Sequence, residues 1–279
     1  MNLFISINGT TTINSHPVLP ADNHSYRYAD GLFETMKVVN GQIKLEQYHF
    51  ERLFSGMKEL KFEVSGLFTR EKISEEIIQL CRRNKCEKLG RVRLSVSRGN
   101  AGLYDCDDKF QYLIECWPLE DSVNKLNGIG LTIDIFPDIR KSTDKFSNLK
   151  SANYLPYVMA AIWAKENKLN EALVLNSYER ICDATIANVF WVKNGIIYTP
   201  QLSEGCIAGV MRKYLIDRTT DTEIEIKEKE LYPADLETAD EVFLTNATRG
   251  IRWVSGFKNK SYQCDLSKRL FNGLILGHL

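Results

Sequence analysis

The chain has 279 residues, 44% of them hydrophobic and 26% charged, with 36 basic and 36 acidic side chains. Such a length suggests roughly two domains, and such a composition builds an ordinary globular core, which excludes disordered, collagen-like and coiled-coil architectures. A formal charge of zero removes the basic surplus of a dedicated nucleic-acid or anionic-membrane binder, but is compatible with a local pocket for a small anion.

The longest apolar run, residues 154–164, falls short of the ~18 residues of a membrane span and carries Pro156. The opening MNLFISINGT lacks a basic region followed by an apolar stretch and a small-residue cleavage site, so a soluble, cytoplasmic protein is expected. The seven cysteines are scattered, and the close pairs Cys81/Cys86 and Cys182/Cys206 lack zinc-type spacing. Reduced, mostly buried thiols are expected. His16, His24, His49 and His278 are too dispersed to suggest a metal centre, and none is expected.

LFISING alternates and reaches Asn8-Gly9, which predicts a hairpin; FETMKVV and QIKL form a second across Asn40-Gly41. Between residues 45 and 61, Phe50, Leu53, Phe54, Met57 and Leu60 recur at helical spacing, and a second helix is predicted from a Thr69 cap to about Asn84. Strands follow at RVRLSVS and QYLIECW. The pattern breaks near Trp117-Pro118 into LEDSVNKLNGIG, which marks a domain boundary.

Beyond it come a strand at LTIDIF, the polar loop RKSTDKFSNLK, and a helix over 151–167 with Leu155, Val158, Met159 and Ile162 on one face. Strands at EALVLN and ANVFWV, a turn at Asn194-Gly195 into IIYTP, a helix from Gly209, strands at TEIEIK and EVFLTN, and a helix over 265–277 complete the chain. Strands and helices mix without strict alternation, which favours an α+β fold with largely antiparallel or mixed sheets. The expected division is a small α/β domain over 1–118, a linker over 119–127 and a larger mixed-sheet domain over 128–279.

General motifs are absent: no phosphate loop, no G-x-G-x-x-G, no H-E-x-x-H and no G-x-S-x-G. One local feature is suggestive. EGCIAGVMRKYL sets a glycine before a helix, so the backbone N–H groups of Val210 and Met211 either form an anion site or belong to an ordinary loop-to-helix junction.

Taken together, YADGLFETMKVVNGQIKL, HFERL, NLKSANYLPYVMA, NEALVLNSYERICDATIANVFWV, YTPQLSEGCIAGVMRKYL and EVFLTNATRGIRWV resemble the fold-type IV class of pyridoxal-phosphate enzymes. That family includes branched-chain aminotransferases, D-amino acid aminotransferases and 4-amino-4-deoxychorismate lyase. The resemblance covers about nine-tenths of the chain, in order. It implies a two-domain D-amino acid aminotransferase-like fold, pyridoxal 5'-phosphate as cofactor, a small-molecule substrate, a homodimer, and an active site in the cleft between the domains.

Residues carry over one at a time. Lys150 matches the lysine that holds the cofactor covalently and shuttles the proton, a task that needs a reversible carbon–nitrogen bond and an amine able to act as a base. Arg52 matches the arginine that grips the cofactor phosphate, where a planar guanidinium suits a bidentate contact. Val210 and Met211 match the helix N-terminus completing the phosphate site; Asn246 and Ala247 match a further phosphate-side loop, Ala247 through its backbone. Asp183 stands where the family usually has a glutamate that pairs with the pyridine nitrogen and sustains the electron sink. Tyr154 matches a residue that hydrogen-bonds the ring hydroxyl, and Asn188 reads as structural.

On the substrate side, the Arg/His carboxylate trap of D-amino acid aminotransferases is replaced by Leu103 and Tyr104 in RGNAGLYDCDD, which argues against that activity. IANVFW, AGVMR, the Asn246-Ala247 pair and Thr35 in LFET, where the lyase branch has a threonine implicated in chemistry, are similar to the lyase branch. That branch's R-G-Y element is missing here, so Arg27, Arg98, Arg249 and Arg252 become the candidates for a substrate carboxylate. The implied activity is aminodeoxychorismate lyase, in folate biosynthesis. The alternatives are an aminotransferase acting on branched-chain or related amino acids, and a non-catalytic homologue acting as a binding protein.

Overall fold

The computed structural model describes residues 3–16, 19–100, 102–104, 110–220 and 222–279. The chain forms two compact units, Met1–Ser122 with Lys150–Asn153, and Val123–Leu149 with Tyr154–Leu279.

The first unit is built on six antiparallel strands: β1 (Phe4–Ile7), β2 (Thr10–Ile13), β3 (Gly31–Val39), β4 (Gln42–Ile43), β5 (Leu89–Arg98) and β6 (Phe110–Pro118), in the order β2-β1-β6-β5-β3-β4. Both Asn-Gly turns form as expected. Asn8 and Gly9 have φ of 50° and 82°, and Asn40 and Gly41 of 49° and 72°, the left-handed pair that matches strand twist. Three helices accompany the sheet: α1 (His24–Tyr28), α2 (Glu46–Glu59) and α3 (Arg70–Arg83). α2 and α3 lie where the apolar spacing places them, and Thr69 caps α3 by accepting from the Lys72 N–H.

Strand period fixes two different faces on this sheet. Met36, Val38, Val92, Leu94, Val96, Ile114 and Cys116 are buried, as are Phe50, Leu53 and Met57 of α2 and Ile73, Ile77 and Leu80 of α3. Burying each large apolar side chain contributes about 1.5–3 kcal/mol. Glu34 shares the α2-facing side of β3, since its carboxylate reaches His49 and Arg52 of that helix. The opposite face carries Phe33, Thr35 and Lys37, which pair with Ser95, Arg93 and Arg91 of β5.

The second unit holds β7 (Leu131–Lys141), β8 (Glu171–Asn176), β9 (Ile181–Ala184), β10 (Asn188–Lys193), β11 (Ile196–Thr199), β12 (Ile226–Glu228), β13 (Glu241–Asn246), β14 (Gly250–Phe257) and β15 (Lys260–Ser261). The sheet runs β12-β11-β10-β13-β14-β7-β8-β9, with β15 beside β14. It is mixed, because β11/β12, β14/β7 and β7/β8 are parallel while the other pairs are antiparallel. Asn194 and Gly195 form the third left-handed turn, at φ of 52° and 77°.

The helices of this unit are α4 (Leu155–Glu166), α5 (Val210–Thr219), α6 (Pro233–Thr238) and α7 (Asp265–Leu270). α4 starts four residues later than the sequence pattern suggests. Ser151 and Ala152 instead pair with β3 of the first unit, through the Ser151–Leu32 bridge and an N–H of Ala152 donated to Gly31 O. The segment TEIEIK is a strand only at its end, and the C-terminal helix gives way to a π-helical turn over Phe271–Ile275. Tyr157, Ala160 and Ala164 of α4 pack in a cluster with Phe136, Ala172, Val174 and Cys182. Leu155, Val158, Met159 and Ile162 are 64%, 47%, 40% and 45% exposed, an apolar stripe on the other side of the helix. Among the described residues, no helix is long and apolar enough to cross a membrane.

Candidate active site

Each unit gathers part of the residue set singled out in the sequence. In the first, Lys150 is placed by backbone pairing: its carbonyl accepts from the Phe33 N–H at 3.0 Å. Its ammonium lies 4.4 Å from the centroid of the Phe33 ring, and the Arg93 guanidinium lies 3.8 Å from the same centroid. Thr35, half-buried, follows Phe33 on that face and is the direct cross-strand neighbour of Arg93. The Arg93 Nε donates to Ser95 Oγ at 3.1 Å. An amine and a permanent cation therefore lie against one aromatic ring, whose faces attract cations, and Thr35 is next along the same side of β3.

Behind this face, Glu34 anchors Arg52. The guanidinium donates through Nε to Oε1 at 2.8 Å and through Nη2 to Oε2 at 2.5 Å, and His49 Nδ1 meets Oε2 at 2.6 Å. The carboxylate can only accept, so the proton must sit on His49 Nδ1. His49 Nε2 is then buried without a partner, and burial, opposed by Glu34, lowers the pKa of this imidazole. Burial alone would raise the Glu34 carboxyl; the Arg52 guanidinium and the His49 hydrogen bond outweigh it and hold it at about 2, against 4.5 ordinarily.

A carboxyl lowered by folding contributes stability above its unfolded value, and that stability is lost as pH falls from 4.5 towards about 2. Glu34→Gln is expected to cost on the order of 3 kcal/mol at pH 7 and progressively less in acid. Urea unfolding at pH 7 and pH 3 checks this; a gap between variant and parent that does not shrink contradicts it.

In the second unit Asp183 sits on β9, 1% exposed, among four donors. Oδ2 accepts from Tyr157 Oη at 2.7 Å, the Ile207 N–H at 2.9 Å and Lys141 Nζ at 3.1 Å, while Oδ1 accepts from Asn188 Nδ2 at 3.1 Å. Oδ2 is saturated, and Oδ1 retains capacity for another donor. Burial and the Asp183 charge push the Tyr157 hydroxyl well above its usual pKa, which keeps it a donor. Asn188 also donates to Ile207 O at 2.8 Å, so its structural role is to fix the carboxylate and the chain leading into α5.

Gly209 precedes α5, and a Cβ there would lie 1.7 Å from Asn188 Oδ1, so only glycine lets the helix start against that side chain. The first turn has no capping side-chain hydrogen bond, so no side chain occupies the N–H groups of Val210 and Met211 there. At the end of β13, Asn246 Oδ1 accepts the N–H groups of Thr248 and Arg249 at 3.2 and 2.9 Å, which shapes the turn carrying Ala247. Tyr154 Oη donates to Thr185 O at 3.3 Å, and its ring lies tilted against that of Tyr157, with centroids 4.5 Å apart.

The candidate substrate arginines fare differently. Arg98 donates to Asp30 at 2.6 Å and also to Leu60 O, and lies over the Phe62 ring, so structure inside the unit already engages it. Arg27 is exposed and donates to Ala21 O. Arg249 and Arg252 face Glu171, whose carboxyl burial pushes up to about 7 against the pull of both. Leu103 and Tyr104 are exposed, at 55% and 94%. Residues 101 and 105–109 of that loop lie outside the described set.

A model of the family described as "Amino-transferase class IV" matches residues 31–257. The chain belongs to this family. An aminodeoxychorismate lyase of Bacillus subtilis (strain 168) is 30% identical over 248 residues, 87% of this chain and 83% of its own. A Methanocaldococcus jannaschii protein that carries a branched-chain-amino-acid aminotransferase name is 28% identical over 257 residues, 88% of this chain and 85% of its own. The crystal structure of 4-amino-4-deoxychorismate lyase from Pseudomonas aeruginosa superposes with a TM-score of 0.81 at 24% identity, over 97% of this chain and 99% of the other, and shows the shared fold.

Class IV aminotransferases are pyridoxal-phosphate enzymes of lyase or aminotransferase chemistry, and this chain is one of them. Its donor set fits the cofactor. An aldehyde calls for an amine, a phosphate for a guanidinium and a helix N-terminus, and a pyridinium for a buried carboxylate. Lys150, Arg52, α5 and Asp183 have those chemistries. Sequence reasoning missed Glu34, His49, Arg93, Lys141 and Tyr157. Of these, Arg93 had a visible signal, the alternation of Arg91, Arg93, Ser95 and Ser97 against Val92, Leu94 and Val96 along one strand.

Proposed function

We propose that the chain is an aminodeoxychorismate lyase, releasing pyruvate and 4-aminobenzoate for folate synthesis. The observation that carries this reading is that Arg93 and Lys150 both lie against the Phe33 ring, with Thr35 and Lys37 further along the same face of β3. The substrate is an amine with two carboxylates. A permanent cation beside the reactive lysine suits such a dianion, whereas an aliphatic side chain gains nothing from it. The 30% identity with the Bacillus subtilis lyase points the same way.

Bound pyridoxal phosphate supplies a carbon that exchanges amines and a ring that accepts an electron pair. By the family match, the residues that would hold the phosphate are Arg52, braced by Glu34, the N–H groups of Val210 and Met211, and the Asn246-Ala247 turn. Asp183 would accept the ring N–H through Oδ1, since Oδ2 is committed to Tyr157, Ile207 and Lys141, and Tyr154 would serve the ring hydroxyl. Lys150 would hold the cofactor covalently and, once released, would remove the proton from the substrate ring carbon that bears nitrogen. Breaking the neighbouring C–O bond expels the enolpyruvyl group, which takes up a proton to become pyruvate, and the ring becomes aromatic. We assign Thr35 to the leaving oxygen and Arg93 to a substrate carboxylate, in preference to Arg98, Arg27 or Arg249, on their positions beside Lys150 and Phe33.

The exposed stripe Leu155, Val158, Met159 and Ile162 supports a homodimer, because four large apolar side chains in a row on a helix call for a covering surface. The second reading is an aminotransferase acting on branched-chain or related amino acids, supported by the 28% identity with the Methanocaldococcus jannaschii protein. The test is turnover of aminodeoxychorismate with no keto acid present. Arg93→Gln is expected to raise its KM by about tenfold or more, with a smaller change in kcat. An unchanged KM removes Arg93 from substrate binding.

A further inference from the structure

Three cysteines that the sequence scatters come together in the first unit, apart from the residues assigned above. The Sγ atoms of Cys81, Cys86 and Cys116 all lie within 4.8 Å of one another, and the side chains are 0%, 2% and 0% exposed. Cys81 is in the last turn of α3. Asn84 ends that helix, Lys85 turns left-handed at φ of 57°, and the Cys86 N–H donates back to Cys81 O at 2.9 Å, which folds Cys86 over Cys81. Cys116 pairs with Val92 across β5 and β6 on the buried face. Gly90 permits the close approach, since a Cβ there would stand 2.5 Å from Cys86 O and 3.4 Å from its Sγ.

Asn84 shows how the sulfurs are polarised. Its Oδ1 accepts the N–H groups of Leu3 and Phe4 at 3.1 and 3.0 Å, which fixes the orientation of the amide. Its Nδ2 must therefore donate, to Phe4 O at 2.8 Å and to Cys116 Sγ at 3.1 Å. Three sulfurs and an amide donor therefore meet in a core that is otherwise apolar, an arrangement that packing alone does not require.

The donor set selects an ion. It offers three soft sulfurs and, among the described residues, no carboxylate or imidazole joins it. The Asn84 oxygen is spent on two backbone N–H groups, and the burial of all three thiols keeps water from supplying a fourth ligand. Thiolates hold Cu(I), zinc and iron–sulfur clusters alike, but zinc calls for a fourth ligand that this set lacks and hard cations take oxygen, so three sulfurs alone favour Cu(I).

We propose that Cys81, Cys86 and Cys116 form a three-coordinate site for Cu(I). Each thiol that becomes a ligand gives its proton to solvent and no electron is exchanged, so affinity rises with pH. This site is independent of the lyase reading, and none of the three cysteines belongs to the catalytic or cofactor machinery.

The test is an anaerobic titration of the cofactor-loaded protein with Cu(I) buffered by a chromophoric chelator, with copper X-ray absorption on the product. One ion per chain in a shell of three sulfurs is expected. Cys86→Ser and Cys116→Ser should each weaken binding by about a hundredfold, and Cys264→Ser should leave it unchanged. Native-state binding should also raise the Tm of the parent protein, which keeps the test decisive if a serine variant fails to fold. No uptake, a shell of two sulfurs, undiminished affinity in Cys116→Ser, or isolation of the trio as a disulfide that takes up no copper would each overturn the proposal.

Discussion

Lys150→Ala is expected to abolish turnover, by roughly four orders of magnitude or more, because the proposed mechanism assigns both the covalent attachment and the base to this one side chain. The backbone at this position is held by pairing with β3: Lys150 O accepts from Phe33, and Ala152 donates to Gly31. Alanine keeps those bonds, so the fold should survive and the loss should be chemical. Two readouts separate this from a binding protein with a decorative lysine. Borohydride should fix the cofactor to the parent protein and not to the variant, and the visible absorption of the variant should match free rather than protein-linked pyridoxal phosphate. Borohydride labelling that persists in Lys150→Ala would move the attachment to another lysine.

Asp183→Asn is expected to retain cofactor and lose turnover by roughly a hundred- to a thousandfold, the scale seen when one electrostatic partner of a developing charge is removed. All four neighbours of the carboxylate are donors: Tyr157, Ile207, Lys141 and Asn188. An amide has only one accepting atom to offer them, so its NH2 must confront a donor. The ion pair with Lys141, a side chain 11% exposed, is also lost, and stranding a buried charge costs about 3–5 kcal/mol. The Tm should therefore fall, while the cofactor absorption, measured below the new Tm, should remain. Near-parental kcat in a folded, cofactor-loaded variant would take Asp183 out of the chemistry.

The difference between what was legible in the sequence and what was not follows the range of the interactions. Asn8-Gly9, Asn40-Gly41 and Asn194-Gly195 dictate their turns through their own backbone preferences, and α2 and α3 follow from apolar spacing with a Thr69 cap. The start of α4 was misplaced because pairing with Gly31 and Leu32 captures 151–152, although Pro156 in the first turn was a readable sign of a later start. β9 escaped notice: its four residues, ICDA, are all buried and show no alternation, yet it carries Asp183. The roles of Lys150, Arg52 and Asp183 came from the family resemblance, since no local spacing distinguishes them. Glu34 was invisible as a partner because Arg52 lies 18 residues away on α2. The same holds for the cysteine trio, which requires β6 to fold back beside α3.

The central claim is the reaction, and one assay addresses it directly. Purified cofactor-loaded protein is given aminodeoxychorismate with no keto acid, and pyruvate and 4-aminobenzoate are followed together. The lyase account predicts continuous formation of both products in equal amounts over many turnovers. A protein that stays silent on this substrate, but transfers an amino group once a keto acid and a branched-chain amino acid are supplied, would contradict it.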